Sequence, residues 1–349
     1  MVWWQVILFP FAILYNWITR FRNHLYNIGY SPSFEFEVNT INIGNLSVGG
    51  TGKSPLVNFL IEMLLPKHQV ATLSRGYGRK SRGFRVATSA DQSSEVGDEP
   101  YLFFKRYGEQ VTVAVSEDRA YAIPAILFEK PEVDIILLDD AYQHRSVKPG
   151  LNILLTRYDR PFYQDQVLPS GRLRESRSGA SRADLIVVTK CPDDLSIGIQ
   201  ESMQLKIARY SAAPVFFTKV AYQPKVAFGK VNDAVATYVV VSGLAHNEDF
   251  IRYCEAHFEI QKIFRFPDHH NYAEKDINRI VGTLSGGVGL LTTEKDWVKL
   301  EKFTSIKEFP CFYVPIATEF LKDEALFIHK VTNSLKTYTR EPIVSPEDQ

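Results

Sequence analysis

Short apolar runs alternate with helix-period segments along most of this chain. Val38 to Ile43, Val70 to Leu73, Val111 to Val115, Ile135 to Leu138, Ile153 to Leu155 and Leu185 to Val188 read as buried strands. Leu56 to Leu65, Tyr101 to Tyr107 and Arg119 to Phe128 carry helical patterns among them. Near-continuous apolar strands with crossover helices predict a mostly parallel α/β sheet. A second series begins near Thr237. Its predicted strands are Tyr238 to Val241, Ile260 to Phe266, Val288 to Leu291 and Cys311 to Val314. Its predicted helices are Asn247 to His257, Ala273 to Leu284 and Glu294 to Leu300.

The N-terminus breaks this rhythm. Val2 to Ile18 is mostly large and apolar, with Trp3, Trp4, Phe9, Phe11 and Trp17 in it. No basic segment precedes the run and no A-x-A site follows, which argues against a cleaved signal. The run is shorter than ~20 residues and holds Gln5, Pro10 and Asn16, so a spanning helix is a marginal fit. At ~100° per residue, Gln5, Asn16, Thr19, Arg20 and Asn23 share one face, although Phe9 falls in that sector. The favoured reading is a helix lying in a membrane interface, ahead of a single span and of a helix packed on its own domain.

The strongest chemical signal is Ser47-Val48-Gly49-Gly50-Thr51-Gly52-Lys53-Ser54. A predicted strand precedes it and a predicted helix follows. That is the context of a phosphate-binding P-loop, with Lys53 for the outer phosphates and the Ser54 hydroxyl for Mg²⁺. Ser47 stands where the pattern usually has its first glycine. The run Val133 to Asp140 ends an apolar strand in two carboxylates, the Walker B arrangement. Asp139 is expected at the metal and Asp140 beside it.

Thr189-Lys190-Cys191-Pro192 follows a strand where GTPases carry N-K-x-D. The acid falls one residue late, at Asp193, so ATP is a better expectation than GTP. Asp98, in Gly97-Asp98-Glu99-Pro100, could be a helix cap or a base for an acceptor hydroxyl. The Asp268-His269-His270 loop lacks a third cluster at metal-binding spacing.

Composition adds limits. The 349 residues carry 40 basic and 40 acidic side chains, so no global field draws nucleic acid. The basic charge is nevertheless clustered. Arg75, Arg79, Lys80, Arg82 and Arg85 form one run, and Arg172, Arg174, Arg177 and Arg182 surround Glu175. Such runs in a phosphate-binding chain point to an anionic substrate or an anionic membrane surface. Cys191, Cys254 and Cys311 fit no zinc or redox spacing, as expected of buried thiols in a reducing compartment.

An ordered set of motifs resembles the tetraacyldisaccharide 4′-kinase family, the lipid A kinases of Gram-negative bacteria. The set comprises Asn45 to Pro55, Leu73 to Arg79, Val96 to Pro100, Asp139 to Arg145, Gly171 to Glu175, Asp268 to His270 and Thr292 to Asp296. The chain departs from the family pattern at Ser170-Gly171-Arg172 and Ala245-His246-Asn247.

The resemblance implies ATP- and Mg²⁺-dependent phosphorylation of the 4′-hydroxyl of a tetraacylated glucosamine disaccharide 1-phosphate. It implies work at the cytoplasmic face of the inner membrane. It also implies that Asp98 pairs with His269 from a second lobe to activate the acceptor, with His270 as the fallback. Arg75, Arg79, Arg172, Arg174 and Glu175 become substrate-side candidates.

The expected fold is a P-loop NTPase-like, mostly parallel α/β sheet with a second, smaller α/β lobe and an N-terminal membrane helix. The expected division is a membrane arm at 1–32, a P-loop kinase domain at 33–214, a connector at 215–236, a second lobe at 237–339 and a tail at 340–349. The competing functions are a membrane-associated nucleotide switch or chaperone, and a kinase of another sugar lipid.

Overall fold

The computed structural model describes residues 3–230, 235–268, 270–285 and 287–338, and the side chains from residue 7 onward. Helix α1 (Trp3–Asn27) leads into strand β1 (Asn39–Asn45) and helix α2 (Lys53–Leu64). Then come β2 (Val70–Ser74), β3 (Arg85–Val86), α3 (Ser93–Val96), α4 (Asp98–Tyr107), β4 (Val111–Val115) and α5 (Arg119–Glu129). Next are β5 (Ile135–Asp139), β6 (Leu151–Arg157), β7 (Leu185–Thr189), α6 (Ile197–Ile207) and β8 (Val215–Tyr222). The remainder is β9 (Val226–Ala227), β10 (Thr237–Ser242), α7 (Glu248–His257), β11 (Glu259–Arg265), α8 (Glu274–Val281), β12 (Val288–Thr293), α9 (Glu294–Leu300), α10 (Thr304–Lys307), β13 (Cys311–Val314), β14 (Ile316–Phe320) and α11 (Glu324–Asn333).

These strands form two sheets. The larger has nine strands in the order β14-β8-β7-β6-β1-β5-β2-β4-β3, and the smaller has five in the order β11-β10-β12-β13-β9. Every pairing from β8 through to β4 in the large sheet is parallel, and only the outer strands β14 and β3 run antiparallel. The fold class matches the expectation from sequence.

Alternation along the central strands sends successive side chains to opposite faces. Ile41, Ile43, Ile135 and Leu137 pack with Leu56, Val57, Leu60 and Ile61 of α2. Ile136, Leu138, Ala71 and Leu73 pack with Ala122, Ile123 and Ile126 of α5. Because β1 lies between β5 and β6, the loop after β1 opens beside the end of β5.

The sheets divide the chain differently from the sequence reading. Part of the expected connector is β8, which pairs with β7 and extends the large sheet. The expected second lobe runs to 339, yet β14 pairs with β8, and α11 sends Phe327 and Val331 into the core under α2. Burial against the large sheet draws the last two elements back across the molecule.

Helix α1 extends to Asn27, beyond the apolar run itself. No described helix is long and apolar enough to cross a membrane. Its polar side turns toward the protein. Tyr15 donates to the Arg174 carbonyl at 2.8 Å, and Asn23 donates to Glu175 at 2.6 Å. Ile7, Phe11, Leu14, Trp17, Ile18 and Phe21 remain exposed on the other side.

Candidate active site

The P-loop is built by its glycines and braced by its neighbours. Gly49 and Gly52 have φ of 102° and 81°, backbone that favours glycine. A Cβ at Gly49 or Gly50 would meet nothing within 4 Å, so the loop surrounds open space. Ser47 needs no such freedom. It forms an antiparallel bridge with Leu173, while Val48 donates to the Arg172 carbonyl and the Arg174 amide donates to the Leu46 carbonyl. Asn45 donates to Thr51 Oγ1 at 2.9 Å, and Thr189 donates to the Thr51 carbonyl at 2.7 Å. The segment that departs from N-K-x-D thus braces the phosphate loop. Asp193 pairs with Lys219 instead.

Lys53 Nζ lies 3.4 Å from Asp140 Oδ1. Arg174 grips both Asp140 oxygens at 3.0 Å. Burial opposes the Asp140 charge, but Lys53 and Arg174 outweigh it and hold its carboxyl below the usual range. Asp140 therefore sits among cations and is less suited than its neighbour to a metal.

Asp139 is 2% exposed, and its Oδ1 has no hydrogen-bond partner among the described residues. Burial, then the charge of Glu99, pushes its carboxyl up to about 7. A buried carboxylate oxygen with no partner fits a hard divalent cation. Among the described residues no three His, Cys, Asp or Glu side chains could hold a metal by themselves. Mg²⁺ usually takes one or two carboxylates together with nucleotide phosphates.

Asp98 and Glu99 start α4. Asp98 lies 2.8 Å from Lys299, and Glu99 lies 2.6 Å from Lys295, both lysines on α9 of the other lobe. Ser54 Oγ donates to the same Glu99 oxygen at 2.8 Å. Lys295 is the chief cause that brings Glu99 down to about 2. The sequence reading gave no role to Glu99, Lys295 or Lys299. The i, i+4 spacing of the lysines marks one helix face, but nothing local reveals what that face meets.

The substrate-side candidates separate. Arg75 and Arg172 are exposed. Arg79 is committed to Glu117 at 2.6 Å and to the Gly83 carbonyl at 2.7 Å, so it braces its own loop rather than facing outward. Glu175 is buried under Arg182, Asn23 and Gln143, which makes it an anchor for α1. His269 lies outside the described residues. His270 binds Asp276 at 3.0 Å and stacks on Phe266, contacts that hold its own loop together.

The sequence profile of the tetraacyldisaccharide-1-P 4′-kinases matches residues 4–336. The chain belongs to this family. A tetraacyldisaccharide 4′-kinase from Flavobacterium psychrophilum is 43% identical over 342 residues, 95% of this chain and 97% of that protein. Another from Flavobacterium johnsoniae is 40% identical over 336 residues, again 95% and 97% of the two chains. Among solved structures, LpxK from Aquifex aeolicus, determined in complex with ATP, is 30% identical. It superimposes with a TM-score of 0.77 over 95% of this chain and 99% of that one. The likeness to these tetraacyldisaccharide 4′-kinases runs over nearly the whole chain and takes in both sheets and α1.

Proposed function

We propose that this protein is an ATP-dependent tetraacyldisaccharide 4′-kinase. It moves the γ-phosphoryl group of ATP to the 4′-hydroxyl of a tetraacylated glucosamine disaccharide 1-phosphate. The supporting observation is the continuous link between phosphate loop and apolar arm: Lys53 to Asp140, Asp140 to Arg174, and the Arg174 carbonyl to Tyr15 on α1. An acceptor whose acyl chains follow the outward face of α1 would have its sugar head beside that chain of contacts.

The P-loop amides and Lys53 bind the ATP phosphates and take up charge as the γ-phosphoryl leaves. The bond from γ-phosphorus to the β,γ-bridging oxygen breaks, and a bond forms to the acceptor 4′-oxygen. Asp98 receives the hydroxyl proton, and His269 is its proposed partner. Ser54 and Asp139 would hold Mg²⁺, with Glu99 beside them. Bound there, Mg²⁺ would offset charge on the β- and γ-phosphates. Arg174 fixes Asp140, and Arg75 and Arg172 meet the anionic sugar. The exposed apolar face of α1 seats the enzyme on the inner membrane at its cytoplasmic side.

A nucleotide switch would share the P-loop and the acids, but the family and the relatives above are kinases. Transfer of labelled γ-phosphate to purified disaccharide 1-phosphate, read by mass spectrometry, tests the proposal. One added phosphate at the 4′ position is expected. ATP hydrolysis without a phosphorylated acceptor would overturn it.

A further inference from the structure

The two acids that begin α4 are both held by the other lobe. Lys295 and Lys299 stand one turn apart on α9, and they reach Glu99 at 2.6 Å and Asp98 at 2.8 Å. More pairs line the same contact. Arg106 of α4 meets Glu294 at 3.3 Å, and Lys105 meets Glu301 at 2.9 Å. Lys295 and Glu99 keep 39% and 33% of their side-chain exposure, so solvent partly screens this pair. Its consequence lies in where it puts an ammonium group.

That group touches the Glu99 oxygen that accepts from Ser54. Burial opposes the Lys295 charge, and Glu99, Asp139 and then Asp268 outweigh it. Ser54 and Glu99 share that contact, and Asp139 interacts by charge with both Glu99 and Lys295, so these are the oxygens proposed for a divalent cation. A lysine from the second lobe already supplies positive charge there.

We propose that Lys295 is the resident counter-ion of this oxygen set, and that a divalent cation displaces it. Two cations a few ångströms apart repel, and Glu99 cannot serve both equally. Displacement frees α9 from one of its ties to α4. Metal loading is thereby linked to the position of the second lobe. The inference rests on the metal position proposed above.

The test titrates the full-length, nucleotide-free protein with Mn²⁺ and follows free Mn²⁺ by electron paramagnetic resonance. Removing a competing cation should raise affinity, so Lys295→Met should bind Mn²⁺ at least about tenfold tighter than wild type. Lys295→Arg keeps the charge and should stay within about twofold of wild type. Lys299→Met also loses a charge and an ion pair, but it has no contact with the Ser54–Glu99 oxygen, and it too should stay within about twofold. Unchanged or weaker binding by Lys295→Met, at an unchanged melting temperature, would overturn the exchange. An equal gain in Lys299→Met would overturn it as well, by reducing it to overall charge. A protein that fails to phosphorylate the disaccharide would sink the kinase reading and leave this comparison standing.

Discussion

Ser54 Oγ donates to Glu99 Oε1 at 2.8 Å, joining the first turn after the P-loop to the first turn of α4. After burial, the Glu99 charge is the main influence that raises the Asp139 carboxyl. Glu99→Gln and Asp139→Asn should each raise the Mg²⁺ concentration for half-maximal activity by roughly tenfold or more, with a smaller effect on nucleotide binding alone. Mg²⁺ titrations of wild type and both variants decide it. Identical Mg²⁺ dependence with activity retained would remove both residues from the metal.

Lys53→Ala should lower kcat by roughly 10²-fold or more while the fold persists. Lys53 rests against Asp140 and Asn45, so the loop keeps its other braces at Thr51 and Ser47. Turnover near wild type with an unchanged melting temperature would exclude it from the transferred phosphate.

The outward face of α1 carries Trp17 and Phe21 at 72% and 63% exposure. Neither packs on the body, so Trp17→Ser with Phe21→Ser should leave melting unchanged. Each aromatic is worth about 1.5–3 kcal/mol when buried, so liposome partition should fall by roughly tenfold or more. Co-sedimentation with anionic vesicles measures this, and unchanged partition would place lipid contact elsewhere.

Much of this was legible in the chain. The apolar run Val111 to Val115 is β4 residue for residue, and the P-loop context follows from β1 and α2. What stayed hidden depends on distant partners. Ile316 to Phe320 follows β13 after only Pro315, so it reads as a continuation of the second lobe. Its pairing with β8 is set by burial about 100 residues back in the chain. Lys295 meets Glu99 across 196 residues, and Glu99 is masked by its neighbour Asp98, the residue that looks like a base. Arg79 belonged to a basic run that suggested solvent or ligand, and a single carboxylate, Glu117, decides otherwise.

His144 gives a pH test of the Arg-rich side of the site. Burial, then Arg119, Arg75 and Arg22, brings its imidazole down from 6.5 to about 4. The unfolded chain therefore takes up a proton near 6.5 that the folded protein refuses until about 4. More protons on the unfolded state mean stability that rises with pH across this window. The contribution is intact above 6.5 and is lost on acidification toward 4. His144→Gln should lower its melting temperature less than wild type does between pH 7 and about 5. Equal losses would show that His144 titrates normally in the fold.

The acceptor side is tested by coupling Asp98 to the histidine loop. His270 is tied to Asp276 and stacked on Phe266, so its loss should act on stability first. His269 is the proposed partner of Asp98. Asp98→Ala and His269→Ala should each cut kcat by roughly 10²-fold or more. Residues acting as a unit give non-additive losses, so the double variant should be little worse than the poorer single. Nucleotide affinity should change little in all three, because the P-loop and Lys53 carry it. Asp98→Ala also strands Lys299, whose ammonium would lose its 2.8 Å partner. Asp98→Asn keeps the shape and a hydrogen-bonding oxygen toward Lys299 but cannot take the proton, so it should lose turnover with little loss of melting temperature. Losses that multiply in the double-mutant cycle would separate the two residues. A dominant loss from His270→Ala with wild-type melting would move the role by one residue.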